Sequence, residues 1–575
     1  MKPAAVAPPR LPALRAPLVF GALLALFALL LVRSLYLQRF DNAFLQEQGS
    51  SRYSRDIELP AHRGRIVDRL GEPLAISTPV KAVWAWPDKI DATPEQLQAL
   101  AGALDMPTSA LMQRISGAGD FVYLKRPVAP DAADRVAALQ IKGVHDETEY
   151  WRYYPGGDVM SQILGFTGDH DVGQEGMELA QQSWLGGKPG SRRVIINRRG
   201  EIVEDVVSIR APQEGRDLAL AIDSRLQYLA FRELKAAIEA NKAQAGAIVM
   251  LDAKTGEIVA LANWPAFNPN NRARTAKNKM RNRALTDTFE PGSSMKPFTI
   301  AAALDSGKFT PATIIDTAPG TLTISGATIH DAHREGTLTV EQVIQKSSNV
   351  GAAKIALSLP PSTMWQTLSD AGFGTPPRTG FPGEVGGRLR PAKSWRPIEQ
   401  ATIAYGHGIS VNLVQLARAY TVFATDGELK PVSLLKVEGP VAGRPVITPA
   451  TARAVRHMLE MVVLPGGTAP KAQVVGYRVA GKTGTAHKLD DRTHTYSESQ
   501  YIASFVGFAP VSNPRLIVAV MIDQPNAGQY YGGAVAAPVF STVMGAALRM
   551  LGVPTDAPVN NVVLPPEGAD VKEET

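Results

Sequence analysis

Three short stretches carry groups that could together perform acyl transfer. Ser293-Ser294-Met295-Lys296 sets a hydroxyl three residues before an amine. Ser347-Ser348-Asn349 adds a second hydroxyl and a carboxamide, and Lys482-Thr483-Gly484-Thr485 adds another amine and two more hydroxyls. A serine hydroxyl becomes a good nucleophile when a base takes its proton, and a lysine is such a base where burial and nearby cations favour its neutral form. Residues three apart share a helix face, so Ser293 and Lys296 are placed to meet. A helix start beneath Ser293 supplies free N–H groups and positive potential where an oxyanion would form. Lys482, Thr483 and Thr485 can hold a carboxylate. Gly484 removes a side chain where substrate backbone must approach.

Each pattern has an imitator in the same chain. Ser433-Leu-Leu-Lys436 also reads S-x-x-K, but it lies in an alternating run where residues three apart face opposite ways. Ser410-Val-Asn412 reads S-x-N and is expected to cap the helix that follows. Lys254-Thr255-Gly256 reads K-T-G between two apolar runs, which marks a hairpin turn. Chain order and local context therefore separate Ser293, Ser347 and Lys482 from these copies.

A rival chemistry attaches to the third stretch. Gly476-Tyr-Arg-Val-Ala-Gly481-Lys482-Thr483 matches the phosphate-binding pattern G-x-x-x-x-G-K-[ST]. Leu516-Ile-Val-Ala-Val-Met-Ile-Asp523 resembles the strand that ends in a magnesium-binding aspartate. A P-loop ATPase is thus the alternative of a different class. It requires a helix after Thr483, whereas the chain continues as a polar loop from Ala486.

The elements that must position these groups follow from the whole chain. It has 575 residues, 45% of them hydrophobic, and no cysteine, which excludes disulfides, thiolate metal sites and cysteine nucleophiles. A net charge of +6 reads as a mildly basic surface, and no pattern for nucleic-acid binding is present. Nothing in the chain calls for a metal or a cofactor. Residues 16–37 are apolar apart from Arg33 and Ser34, long enough to cross a bilayer, with Tyr36 at the interface. The expected layout is a cytoplasmic tail (1–15), a transmembrane anchor (16–37), an exported pedestal domain (38–215), a second domain (216–553) and a proline-rich, then acidic, disordered tail (554–575).

Within the pedestal, residues 94–115 have helical periodicity and 197–210 alternate like a strand. In the second domain, 218–222 reads as a strand, Asp223 caps a helix through Ala240, and 247–251 with 257–262 form the hairpin. Helices are expected over 294–306, 339–357 and 409–425, and strands over 478–480, 504–507 and 516–522. Strands, a helical block, then strands imply an α/β (α+β) fold: a central antiparallel sheet flanked by helices, with a mainly helical subdomain.

In this order the three motifs resemble the penicillin-binding protein and serine β-lactamase superfamily. Arg63-Gly-Arg-Ile-Val-Asp-Arg69, Arg152-Tyr-Tyr-Pro155 and Gly173-Gln-Glu-Gly-Met-Glu178 are similar to N-terminal motifs of the class B penicillin-binding proteins. Phe289-Glu-Pro-Gly-Ser-Ser-Met-Lys-Pro-Phe298 is close to the wording of their septal branch. The resemblance covers about residues 16–550 and implies a D,D-transpeptidase of the cell wall. Ser293 would be acylated by the D-Ala–D-Ala end of a stem peptide and Lys296 would take its proton. Ser347 would relay a proton to the leaving amine, while Asn349 holds the donor amide and Lys296. Lys482, Thr483 and Thr485 would hold the terminal carboxylate, and the N–H groups of Ser293 and Thr485 would form the oxyanion hole. Tyr501, Tyr530 and Tyr531 would form an aromatic wall.

The resemblance further implies acylation of Ser293 by β-lactams, an amine of a neighbouring stem as acceptor, and carboxypeptidase action when water replaces that amine. It implies an inner-membrane protein with its bulk in the periplasm at the division septum. The septal glycan polymerase and other divisome membrane proteins would be its partners. An elongation-type transpeptidase is the alternative within the family. A β-lactamase would need a deacylating Glu-x-x-Leu-Asn segment that does not follow Ser347, and a dead-site scaffold would not need intact motifs. Ala404-Tyr405-Gly406-His407-Gly408 departs from the family's tyrosine-containing stretch at His407.

Overall fold

The computed structural model describes residues 15–39, 54–59, 61–117, 119, 121–168, 171–196, 202–273, 275–490 and 495–564. The chain divides into two compact units, Met1–Ala61 with Gly187–Glu214, and His62–Gly186 with Gly215–Thr575. Residues 62–186 therefore pack in one unit with Ser293, Ser347 and Lys482, across the domain boundary expected at 215.

In the smaller unit an apolar helix, Arg15–Arg39, is long enough to cross a membrane. Its apolar side chains are exposed all round, as a helix solvated by lipid requires. The strands Ser54–Leu59, Gly190–Ile196 and Ile202–Arg210 form an antiparallel sheet in that order. The expected strand over 197–210 thus begins at Ile202; residues 197–201 lie outside those described.

The larger unit begins with the sheet of Pro73–Ala85, Val122–Val128 and Val144–Tyr153. Val83, Leu100, Leu111, Leu124 and Val136 make its core, packed under three helices. The helix expected over 94–115 is two helices, Pro94–Ala103 and Thr108–Ser116. Pro107 cannot donate a helical N–H and disfavours helix at the residue before it, so the chain breaks there.

The three N-terminal motifs meet in one buried ion network. Arg63 Nε donates to Glu178 Oε2 at 2.7 Å and Arg152 Nε to Glu178 Oε1 at 2.7 Å. All three side chains are at most 1% exposed.

The five-stranded antiparallel sheet runs Ile258–Trp264, Ala245–Asp252, Leu516–Asp523, Thr495–Ala509, Ala480–Asp490. Ala245–Asp252 and Leu516–Asp523 are buried along their whole length, so helices cover both faces. Ser224–Ala240, capped by Asp223, and Gly532–Met550 pack on the sheet and on each other. Gly532–Met550 is also apolar and long enough to cross a membrane, but its inner face fills this core.

Two of the imitators, Lys254-Thr255-Gly256 and Ser410-Val-Asn412, take the structural roles expected of them, while Ser433 and Leu435 make only isolated bridges. Gly256 turns the hairpin at φ +73°, Asn412 caps Leu413–Ala419, and Lys436 Nζ donates to Arg69 O. The phosphate-loop pattern runs into the Ala480–Asp490 strand, with no helix after Thr483. The disordered tail needs correction over 554–564. There Asp556 accepts from Arg478 N at 2.7 Å, and Asn561 Oδ1 from Gly476 N at 2.9 Å. Residues 565–575 lie outside those described.

Candidate active site

Ser293 sits in a 3₁₀ turn, Gly292–Met295, not in the α-helix expected to begin there; the α-helix is Lys296–Asp305. Residues three apart eclipse in a 3₁₀ turn, which lines Lys296 up with Ser293. Lys296 Nζ lies 2.9 Å from Ser293 Oγ. Pro297 is in the first α-helical turn, where its missing N–H costs nothing. Lys296 is fully buried and Ser293 is 8% exposed, so both are shielded from bulk water.

The expected helix 339–357 is broken at the second motif. Val340–Gln345 ends and Asn349–Leu357 starts, with Ser347 between them at φ +61°. That left-handed backbone turns both the carbonyl and the hydroxyl of Ser347 onto Lys296. Lys296 Nζ donates to Ser347 O and lies 3.0 Å from Ser347 Oγ. Ser348 caps the following helix through Gly351 N at 2.8 Å and donates to Asp331 Oδ2 at 2.6 Å. Asn349 Nδ2 donates to His330 O at 3.3 Å.

Lys482, Thr483, Gly484 and Thr485 lie on the edge strand Ala480–Asp490. Lys482 Nζ is 3.0 Å from Ser347 Oγ and 3.0 Å from Thr483 Oγ1. Ser347 Oγ thus stands between two amines that come from opposite ends of the domain's sequence. Thr483 Oγ1 also meets Thr468 Oγ1 at 3.2 Å, and Thr485 Oγ1 accepts from Gly532 N at 3.0 Å.

Gly484 also has a packing reason: a Cβ there would meet Pro291 O and Ser504 Oγ, each at 2.5 Å, so the missing side chain admits the turn that carries Ser293. Gly292, at φ +56°, faces the same strand, where a Cβ would lie 2.8 Å from Thr485 O. Ser293 and the Thr485 backbone are therefore neighbours across a gap that only two glycines permit.

Tyr501, Tyr530 and Tyr531 do come together. The Tyr501 and Tyr530 rings stack at 4.0 Å, and the Tyr530 and Tyr531 rings lie 4.4 Å apart. His487 extends the row, 4.6 Å from Tyr501. Burial, then the neighbouring Tyr530, pushes the Tyr501 phenol up, so it stays a neutral donor.

Residues 246–545 match the penicillin binding protein transpeptidase domain, and 58–220 match the penicillin-binding protein dimerisation domain. The chain is a class B penicillin-binding protein. It is 44% identical over 526 residues to the probable peptidoglycan D,D-transpeptidase PbpC of Pseudomonas aeruginosa, covering 91% of this chain and 93% of that one. It is 42% identical over 550 residues to the peptidoglycan D,D-transpeptidase FtsI of Escherichia coli, covering 94% and 93%. Among solved structures, the transpeptidase domain of Burkholderia pseudomallei penicillin-binding protein 3 is 51% identical, with a TM-score of 0.55. It covers 59% of this chain and 98% of that one. Penicillin-binding protein 3 of Mycobacterium tuberculosis, solved with aztreonam, is 27% identical with a TM-score of 0.69, covering 88% and 99%.

This class B penicillin-binding protein uses positioning groups that the sequence motifs do not reveal. Asp331 ties down the Ser347-Ser348-Asn349 turn by accepting from Ser348 Oγ and, at 2.9 Å, from Val350 N. Thr468 orients Thr483, and Tyr420 Oη donates to Ser294 O at 2.9 Å under the turn that carries Ser293. Each lies more than ten residues from the motif it serves, beyond the reach of a local pattern. Glu290 and His407, the residue that departs from the family's stretch, meet beside the same turn at 3.3 Å.

Proposed function

We propose that the protein is a peptidoglycan D,D-transpeptidase that works through a serine ester at Ser293. The observation that carries this reading is the chain of contacts Ser293–Lys296–Ser347–Lys482. The donor stem peptide lies along the free edge of Ala480–Asp490, with its terminal carboxylate held by Lys482, Thr483 and Thr485. Lys296 takes the Ser293 proton as Oγ attacks the penultimate D-Ala carbonyl. The N–H groups of Ser293 and Thr485 receive the developing oxyanion. Ser347, fed by the two amines, passes a proton to the leaving D-Ala nitrogen as the C–N bond breaks, and Asn349 holds the donor amide. The tyrosine row of Tyr501, Tyr530 and Tyr531 walls the site.

An amine of a second stem then attacks the ester, loses its proton to the same lysine system and restores Ser293. Water in place of that amine gives carboxypeptidase action. A β-lactam acylates the same oxygen but keeps its leaving nitrogen tethered, so the ester persists. The reading extends to an inner-membrane protein anchored by Arg15–Arg39, with its pedestal and transpeptidase domains (38–215 and 216–553) in the periplasm. The likeness to FtsI supports a septal role beside a septal glycan polymerase and other divisome membrane proteins.

Ser293→Ala tests the chemistry. It is expected to abolish covalent labelling by fluorescent penicillin and release of D-Ala while leaving the melting temperature unchanged; undiminished labelling would sink the assignment. Depletion tests the role: filaments support septal work, and round cells would support the elongation reading instead.

A further inference from the structure

The carboxylate three residues before the nucleophile is gripped from two sides. Glu290 Oε1 accepts from Gly408 N at 2.8 Å and from Tyr496 Oη at 2.9 Å. Its other oxygen, Oε2, is buried and receives no hydrogen bond among the described residues. His407 Nδ1 stands 3.3 Å from that oxygen. The ring is packed between Tyr405, at 5.3 Å, and Tyr496, at 6.2 Å, which restricts where it can turn. Burial first, and then the Glu290 carboxylate, pushes the Tyr496 phenol up, so Tyr496 remains a donor. Glu290 therefore has two fixed donors on one oxygen and a poised third group on the other.

The clamp bears on the nucleophile through the backbone. Gly406 sits so close that a Cβ there would lie 2.1 Å from Gly292 O, and Gly292 N donates to Gly406 O at 3.4 Å. Thr299 Oγ1, one turn after Lys296, donates to Ala404 O at 2.9 Å. Residues 404–408 thus touch the turn before Ser293 and the helix after it. Any shift of that loop moves Ser293 relative to Thr485, and displacements of about 1 Å cost up to about a hundredfold in rate.

We propose that His407 is a positioning residue for acylation, donating from Nδ1 to Glu290 Oε2 and so locking residues 404–408 onto the turn that carries Ser293. The imidazole touches no reacting atom. Its effect passes through Glu290 and Gly406 to the distance between the Ser293 hydroxyl and the Thr485 N–H. This rests on the reading of Ser293 as the nucleophile.

Two substitutions separate donation from packing. His407→Asn keeps a donor at about the reach of Nδ1 and loses the ring; His407→Phe keeps the ring between Tyr405 and Tyr496 and loses the donor. The second-order rate constant for acylation by fluorescent penicillin is measured on the full chain in detergent micelles, beside the melting temperature and a Ser293→Ala control. The expected result is an Asn variant within about twofold of the parent and a Phe variant about tenfold slower, both melting like the parent. The reverse order, two unaffected variants or two equally slow ones would overturn the proposal. Where the Phe variant does not fold, the ¹⁵N spectrum of the histidine-labelled parent decides, with the His407 signal assigned by its loss in His407→Asn. A protonated Nδ1 is expected, and a bare Nδ1 overturns the assignment. Labelling that survives in Ser293→Ala would instead refute the nucleophile reading, which neither His407 substitution addresses.

Discussion

Lys482 Nζ and Ser347 Oγ are 3.0 Å apart, and Lys296 Nζ lies the same distance from that oxygen, so one hydroxyl joins two buried amines. Ser347 holds this place only by adopting φ +61°, which disfavours any side chain. The contacts of this hydroxyl and the comfort of its backbone therefore conflict at one residue. Ser347→Ala is expected to slow penicillin acylation about a hundredfold at an unchanged melting temperature. Ser347→Gly should be as slow and yet more stable, by about 1 kcal/mol. Chemical denaturation beside stopped-flow acylation checks both, and an equally stable Gly variant would show that the left-handed turn is not strained.

Gly484→Ala drives a methyl into Pro291 O and Ser504 Oγ. A loss of about 1–3 kcal/mol is expected, because the turn before Ser293 must retreat from the strand. Acylation should fall with it, since Ser293 and Thr485 separate. Adding Ser504→Ala removes one obstacle and leaves the Pro291 carbonyl, so recovery should be partial. Full recovery in the double variant would place the conflict at Ser504 alone.

Glu178→Gln leaves the Arg63 and Arg152 guanidiniums buried without a countercharge. Removing one partner of a buried ion group typically costs about 3–5 kcal/mol. A sharp drop in folded yield and melting temperature is the expected outcome, read by scanning calorimetry. A variant as stable as the parent would mean that the network is dispensable.

Glu399 gives a pH-dependent contribution. The Arg396 N–H, then Arg390, hold its carboxyl down at about 2, against an ordinary 4.5. A value lowered in the folded state stabilises the protein fully above the ordinary range, and that stability drains away as pH falls from about 4.5 towards 2. Glu399→Gln should therefore melt below the parent at pH 7, with the gap closing at the acid end. An equal gap at both pH values would contradict the assignment.

Thr468→Val tests a residue with no motif of its own. Losing its hydroxyl strips Thr483 of a buried partner and should cost about 1 kcal/mol. D-Ala release should lose more in KM than in kcat if Thr483 holds the substrate carboxylate, and a pure kcat loss would argue against that role.

The site was legible in the sequence where its chemistry is local. Ser293 and Lys296 are one turn apart, so spacing alone brings them together. The Lys482 strand was readable from the alternation before it, but the polar loop expected from Ala486 is a continuation of that strand to Asp490, paired with Thr495–Ala509. What stayed hidden depends on contacts between distant segments. No periodicity reveals that Ser347 interrupts a helix in a left-handed turn, or that Asp331 fastens it. The packing of Gly484 against Pro291 was hidden because the direction of an absent Cβ depends on the register with Thr495–Ala509. The letters around Arg63, Arg152 and Glu178 were visible as motifs, but their convergence on one buried carboxylate was not. The helix Arg15–Arg39 was legible because its length and apolarity, the marks of a candidate membrane span, are read directly from the residues.

The order of strands in the five-stranded sheet also sets when the enzyme can begin to work. Ala245–Asp252 pairs with Leu516–Asp523, and the strand carrying Lys482 joins through Thr495–Ala509. A ribosome delivers Ser293 and Lys296 long before it delivers those partners. Until then Ser293 has no completed sheet to face, and pairing across such sequence separation is slow to form. A chain stopped short of Leu516 thus lacks the strand that joins Ala245–Asp252 to Thr495–Ala509, and the contacts of Ser293, Ser347 and Lys482 wait on the last strands of this sheet.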